Sequence, residues 1–338
     1  MIRMRRALTA ILLTLPSLLP AEVHDVIPKT YFRNFGRANP PLLRIKAGDT
    51  VRTKTIDAAG FDEKGVKRHP ESGNPLTGPF YIEGAEPGDA IAVVLHKVRV
   101  NRNWGYTAYR LGLFALQPDY IETIYANRYK DNAVIEGRSN VVPWDIDLDK
   151  QTVRLREPSS SRLKLEFPVR PMLGCIGVAA PSEFAPISGI SGAYGGNMDY
   201  NEVVEGVSVI LPVYHPGALL YIGDGHAIQG DGEATGTGVE TSMDVEFSVE
   251  IRKKANLNNP RVETKDFLIS VGSQPEFASS LDRALQIATT DMVRWLVAEY
   301  ALEPWAAHLL VGYQSRYDVV TVAGSMALKI PRKVLPAR

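Results

Sequence analysis

Apolar residues in this chain recur mostly with the two-residue period of a half-buried strand, and helical spacing holds over a single long stretch. Met243–Lys253 sets Val245, Phe247, Val249 and Ile251 on one side. Leu163–Val169 does the same with Leu163, Leu165, Phe167 and Val169, while Val203–Pro212 and Ala218–Ile222 are continuous apolar strands. Nearer the N-terminus, Leu43-Arg44-Ile45 leads through Ala47-Gly48-Asp49 into Thr50–Ile56, and Phe80–Glu83 leads through Glu86-Pro87-Gly88-Asp89 into Ala90–Val100. β-Branched residues fit the pleated surface, and Gly-Asp or Pro-Gly pairs mark its turns. Against this background Ser280–Leu302 has three-four spacing, with Leu281, Leu285, Ala288, Met292 and Trp295 or Leu296 on its apolar face. Ser279 or Ser280 can cap that helix, and Pro304 suits the first turn of a shorter one ending near Val311. Tyr317–Leu335 returns to strand, with a turn near Gly324. This order predicts a β-rich α+β fold: a β-sandwich-like body with a smaller α/β portion containing one long C-terminal helix. A doubly wound α/β fold is excluded, since helices do not alternate with the early strands.

The first residues include Arg3, Arg5 and Arg6, followed by the apolar run Ala7–Leu19 and then Pro20-Ala21-Glu22. A basic start, a short apolar core and a small residue at a cut site match a secretory signal peptide over 1–21. The run is shorter than the roughly 20 residues that span a bilayer. The expected location is periplasmic or secreted, with no membrane attachment after signal removal. The remainder divides into an N-terminal β-rich portion, 22–170, and a C-terminal α+β portion, 171–338, closely packed on the first. The whole chain balances 38 basic against 38 acidic residues, and losing the three arginines leaves 35 against 38. That charge gives no electrostatic case for nucleic acid. With Cys175 as the only cysteine, an intramolecular disulfide is excluded and stability rests on core burial.

Residues able to do chemistry concentrate in Tyr221–Glu233, where Asp224, His226, Gln229, Asp231 and Glu233 stand among glycines. If the segment is extended, Asp224 and His226 share one side, as do Asp231 and Glu233. Imidazole nitrogen with carboxylate oxygen suits zinc, and further carboxylates admit calcium, magnesium or manganese. Gly195-Gly196-Asn197-Met198-Asp199 is a second cluster, with Asn197 and Asp199 again on one face if extended. Asp57 and Glu83 end strands, where a rigid scaffold meets loops and a carboxylate can reach a pocket. Glu240 reads equally as a further acid or as a strand-edge charge beside Glu246 and Glu250. Gly60–Pro79 reads as a long surface loop of functional length. His96 reads as a packed mid-strand histidine, and His215 as a turn residue with a structural hydrogen bond.

These segments resemble the acetamidase/formamidase family. The likeness runs through Asn74-Pro75-Leu76-Thr77-Gly78-Pro79, Tyr81–Asp89, Gly174–Ala179 and Gly195–Asp199, and is most specific over Gly223-Asp224-Gly225-His226-Ala227-Ile228-Gln229-Gly230-Asp231-Gly232-Glu233. It implies hydrolysis of formamide, acetamide or a similar small amide to carboxylate and ammonia. It also implies a β-rich fold, metal association and a homodimer or higher homo-oligomer. Asn197 and Asp199 match one family motif, and Asp224, His226, Asp231 and Glu233 the other.

The resulting expectation is a divalent ion held by Asp224 and His226 with one or more of Asp57, Asp199 and Glu83, acidifying a water and polarising the amide carbonyl. Glu233 is the expected general base, Asp199 and Asp231 complete the catalytic set, and Asn197 or backbone N–H groups steady the oxyanion. Two rivals stand beside it: an amidase using Cys175 as nucleophile, and a periplasmic ligand- or metal-binding β-sandwich protein without catalysis.

Overall fold

The computed structural model describes residues 21–108, 115–117, 119–120, 141–156, 162–273 and 280–337. The signal-peptide reading of 1–21 and the Ser279 cap therefore fall almost wholly outside the described residues.

Two sheets make up most of the molecule, as the strand periodicity predicts. The first runs Val23–Asp25, Thr50–Lys54, Met243–Arg252, Ala90–Val100, Ser208–Pro212, Arg261–Glu263, Phe267–Ser273, Ser325–Pro331 and Arg316–Thr321, in spatial order. The second is built around Leu220–His226, which pairs with Met172–Gly177 on one side and with Glu240–Thr241 and Thr77–Ile82 on the other. Each sheet takes strands from both sides of residue 170, so the 22–170 and 171–338 portions interleave.

Alternation along the first sheet explains its two coverings. In Ala90–Val100, Ile91, Val93 and Leu95 join the large core shared with the second sheet, while Ala90 and Ala92 join a separate cluster under the helices. Val209 and Leu211 face one way, and Ile210 the other. A strand buried on both faces reads as a continuous apolar run, which is what these strands show. The layers are helices, sheet and sheet.

The long helix spans Leu281–Tyr300, capped by the Ser280 hydroxyl accepting the Arg283 N–H and ended by left-handed Ala301. Its buried face differs from the sequence expectation: Ala284, Ala288, Asp291, Met292, Trp295 and Leu296 are buried, whereas Leu281 and Leu285 remain 36% and 37% exposed. The reason is a close approach at Gly272, where a Cβ would lie 2.0 Å from the Ala284 carbonyl oxygen. The helix backbone itself makes that contact, so the face carrying Ala284 and Ala288 lies on the sheet and the leucines are left outward. Arg261 secures it with two hydrogen bonds to Asp291 at 2.8 and 3.0 Å, both side chains buried. The shorter helix, Pro304–Gln314, runs one turn beyond the expected end.

Leu163–Val169 contributes only the exposed strand Glu166–Pro168. His96 is exposed on its strand, with Nε2 2.8 Å from the Ser248 hydroxyl, rather than packed, because it falls on the solvent-facing side of the alternation. His215 makes the expected structural bond, to the Ala180 carbonyl at 2.8 Å.

Candidate active site and metal centre

The site lies on the second sheet, around the far end of Leu220–His226, a strand buried along its whole length. Antiparallel pairing sets Cys175 beside both Gly223 and Asn197, and Leu173 beside Gly225. On the other flank His226 stands directly opposite Glu240. Register therefore sets Asn197 beside Cys175 and His226 beside Glu240, in two rows that cross Leu220–His226 at Gly223 and at His226.

Asp199, Asp224 and Glu233 do not follow the extended backbone assumed from sequence. Their φ angles are 49°, 55° and 47°. Non-glycine residues seldom occupy this left-handed region, and such conformations gather at functional sites. Here they turn three acids inward from three loops and strand ends. Gly174 makes room for them: a Cβ there would lie 2.4 Å from Asp199 Oδ1 and 2.8 Å from Asp224 Oδ2.

Two groups of ligand-type atoms result, Asp199 with His226 and Glu233, and Asp224 with His226 and Glu240. The atoms of each group lie within 4.8 Å of one another. His226 Nε2 is 3.1 Å from Glu240 Oε1 and 3.6 Å from Asp224 Oδ1. Its Nδ1 is 2.8 Å from Gln229 Oε1, and Gln229 Nε2 in turn donates to the Asp199 carbonyl at 2.6 Å. With its amide nitrogen so occupied, Gln229 presents an oxygen that only accepts, which puts a proton on Nδ1 and aims Nε2 at the carboxylates.

Four of these atoms also lack a hydrogen-bond partner. Asp199 Oδ1, Asp224 Oδ1, His226 Nε2 and Glu240 Oε2 are buried with no hydrogen-bond partner, four of seven such side-chain atoms among the described residues. Buried polar atoms are nearly always paired, so four orphans converging at one place point to a ligand. Their composition, one imidazole nitrogen and several carboxylate oxygens, fits a divalent cation.

Electrostatics agree. Burial, then the nearby Asp224 carboxylate, pushes Asp199 up to about 7. Burial likewise takes Glu240 up to about 8, against the pull of His226. Glu233 is held well above the ordinary carboxyl range by burial and by Asp199. Burial alone lowers His226, but Glu240 and Asp224 outweigh it and hold the imidazole well above its usual value. Without a cation, the cluster retains protons instead.

Several sequence-predicted residues go elsewhere. Asp57 is fully buried against Arg102, whose Nη2 donates at 2.6 Å, and its Oδ1 accepts the N–H groups of Ala59 and Phe61. It is the anchor of a turn, since its charge is already matched and its oxygens are taken. Glu83 is a half-exposed turn residue 3.8 Å from Arg44 Nε. Asp231 accepts from Asn201 Nδ2 at 2.7 Å and does not join Glu233. Between them Gly232, at φ 81°, breaks the extended geometry that would align the two acids. Asn197 is present, with one proton of its Nδ2 engaged by Asp199 Oδ2.

Cys175 does not suit a nucleophile. Burial, followed by the Asp224 and Asp199 carboxylates, raises its thiol well above the usual range, the reverse of what thiolate chemistry requires.

Two contributors carried no assigned role in the sequence reading. Glu240 looks like its neighbours Glu246 and Glu250 until pairing sets it opposite His226. Asn74 stands near the end of the Gly60–Pro79 loop, and only its place in the family-like Asn74–Pro79 segment marked it.

A model of the acetamidase/formamidase family matches residues 32–185 and 187–282. A Methylophilus methylotrophus formamidase is 26% identical over 271 residues, covering 65% of each protein. The chain spans 61% of the length of a Schizosaccharomyces pombe relative at the same identity. Among solved structures, an acetamidase from Yersinia enterocolitica superposes with a TM-score of 0.76 at 28% identity, covering 95% of both chains. An acetamidase from Bacillus halodurans gives 0.73 at 26% identity, over 92% of this chain and 98% of its own. With the family model spanning most of its length and these folds matching nearly end to end, the chain belongs to the acetamidase/formamidase family.

Proposed function

We propose that this protein hydrolyses the C–N bond of a small linear amide, of the formamide or acetamide kind, to a carboxylate and ammonia with a divalent metal ion. Family membership supports the amide chemistry. The four buried, unpartnered donor atoms of Asp199, Asp224, His226 and Glu240 carry the metal part of the reading. Those four residues would hold the ion, with zinc favoured by the imidazole and manganese, magnesium or calcium admitted by the carboxylates. When bound, such an ion acidifies water and polarises a carbonyl.

The chain's own groups do the rest. Glu233, half-buried beside Asp199 and His226, accepts the proton of the attacking water and returns it to the departing nitrogen. That transfer is needed because the nitrogen must leave as ammonia and not as an anion. A carboxyl held above its ordinary range is, once ionised, a stronger proton acceptor than an exposed one. Gln229 keeps His226 oriented, and Gly174 lets two carboxylates approach without obstruction.

Ammonia release from a panel of short amides, measured on metal-replete and chelated protein, tests this reading. Turnover restored by added zinc or manganese is the expected result, and undiminished turnover after exhaustive chelation defeats the metal part. Export and assembly into a homodimer or larger oligomer belong to the same reading. Assembly is supported by Trp305, Leu309 and Tyr313, spaced four apart on the shorter helix and 66%, 45% and 80% exposed.

A further inference from the structure

We infer that Asn74 and Cys175 are positioning residues: Asn74 directly on Asp224, and both through Asn197 on Asp199, they aim the free oxygens of the two acids at the metal. The inference rests on the metal-site reading above and concerns how tightly the site binds, not how it turns over.

Its basis is a division of labour within each carboxylate. Asp224 Oδ2 accepts from Asn74 Nδ2 at 2.8 Å, while Asp224 Oδ1 is the buried orphan. Asp199 Oδ2 accepts from Asn197 Nδ2, while Asp199 Oδ1 is the buried orphan. In both acids one oxygen is pinned by an amide and the other left open. A carboxylate so held cannot rotate its free oxygen away without breaking the hydrogen bond from the amide.

The two amides are themselves locked. Asn74 Nδ2 has two protons and two acceptors at 2.8 Å, Asn197 Oδ1 and Asp224 Oδ2. Reversing the Asn74 amide would set its oxygen against both. Asn197 Oδ1 accepts from Asn74 and also from the Cys175 thiol, with Sγ at 2.8 Å. Two donors on that oxygen oblige Asn197 Nδ2 to face Asp199. The thiol has one proton and two near acceptors, Asn197 Oδ1 and the Ser188 carbonyl oxygen at 3.3 Å, and given to Asn197 that proton stands at the base of the relay. Outer contacts of this kind typically alter metal affinity by about 10–100-fold.

Titration of metal-free protein with cobalt(II), read by visible absorption, and competition with zinc provide the test. Asn74 has φ 54°, so Asn74→Gly removes the amide without straining the backbone. A 10–100-fold weaker dissociation constant is expected, with the metal-free melting temperature within a few degrees of wild type. Cys175→Ser retains a donor and should stay within about threefold of wild type, whereas Cys175→Ala should weaken binding by about tenfold. If Asn74→Gly fails to fold, the Cys175 pair carries the test alone. Wild-type affinity in Asn74→Gly, or equal affinities in Cys175→Ser and Cys175→Ala, overturns the positioning role and leaves the metal site standing. Failure of wild type itself to bind cobalt or zinc removes the metal reading instead.

Discussion

Glu240 faces His226 directly across an antiparallel ladder, its Oε1 3.1 Å from the imidazole Nε2, yet the pair is not aligned as a hydrogen bond. Two buried groups this close and this poorly aligned to each other are better placed to share a third partner. Glu240→Gln keeps the shape and removes the anion. Metal affinity is expected to fall by roughly 100-fold, as for loss of a ligand or its direct support, and isothermal titration of the variant measures it. Unaltered affinity would return Glu240 to the status of a buried structural acid.

The metal-free protein should lose stability as pH rises. Asp199, near 7, and Glu240, near 8, have folded values above those of an unfolded chain. Between about pH 5 and 8 the folded state then binds more protons than the unfolded one, so stability falls with pH. His226 acts with the same sign, since its raised value contributes stability at low pH that is lost as pH climbs through it. Thermal melts of chelated protein at about pH 5.5 and pH 8 should show the higher melting temperature in acid. Saturating zinc should shrink or reverse the difference by replacing the protons.

Gly174→Ala tests the geometry of the site separately from its charges. The new methyl would sit 2.4 Å from Asp199 Oδ1 and 2.8 Å from Asp224 Oδ2, forcing at least one carboxylate aside. Misplacement on that scale typically costs about 100-fold in rate. We expect kcat/KM for a short amide to fall by at least that factor while circular dichroism stays native. Wild-type kinetics would mean that the two acids need not approach each other for turnover.

Far from the site, Asp291→Ala should destabilise the whole protein. Asp291 accepts two hydrogen bonds from buried Arg261 and a third from the Ser270 hydroxyl at 3.0 Å. Removing it strands a guanidinium whose next acid, Glu299, is 3.8 Å away. Breaking a buried pair in this way costs about 3 kcal/mol, readable as a lower urea midpoint. A loss under about 1 kcal/mol would show that Glu299 takes over the charge.

Much of the architecture was readable along the chain. The alternation in Met243–Arg252 and the apolar run of Ala218–Ile222 mark strands because their side chains meet a core on one face or both, although the second strand runs on through Asp224 to His226. The long helix is where three-four spacing and a serine cap coincide. Its rotation about its own axis was not readable. It depends on Gly272, which precedes the helix in sequence and meets Ala284 only after folding.

The acids show the same boundary at finer scale. Composition and spacing identified Asp199, Asp224, His226, Asp231 and Glu233 as a donor-rich set, and folding brings together all of these except Asp231, which pairs with Asn201. Asp57, Glu83 and Glu240 were indistinguishable by sequence, each a carboxylate at or beside the end of a strand. Folding gave Asp57 an arginine, left Glu83 in solvent and set Glu240 opposite the histidine. A local sequence determines whether a segment is strand, turn or helix, since that depends on neighbours a few residues away. Which carboxylates converge depends on ladder register and on left-handed turns at Asp199, Asp224 and Glu233. Both are decided by packing between segments far apart in the chain.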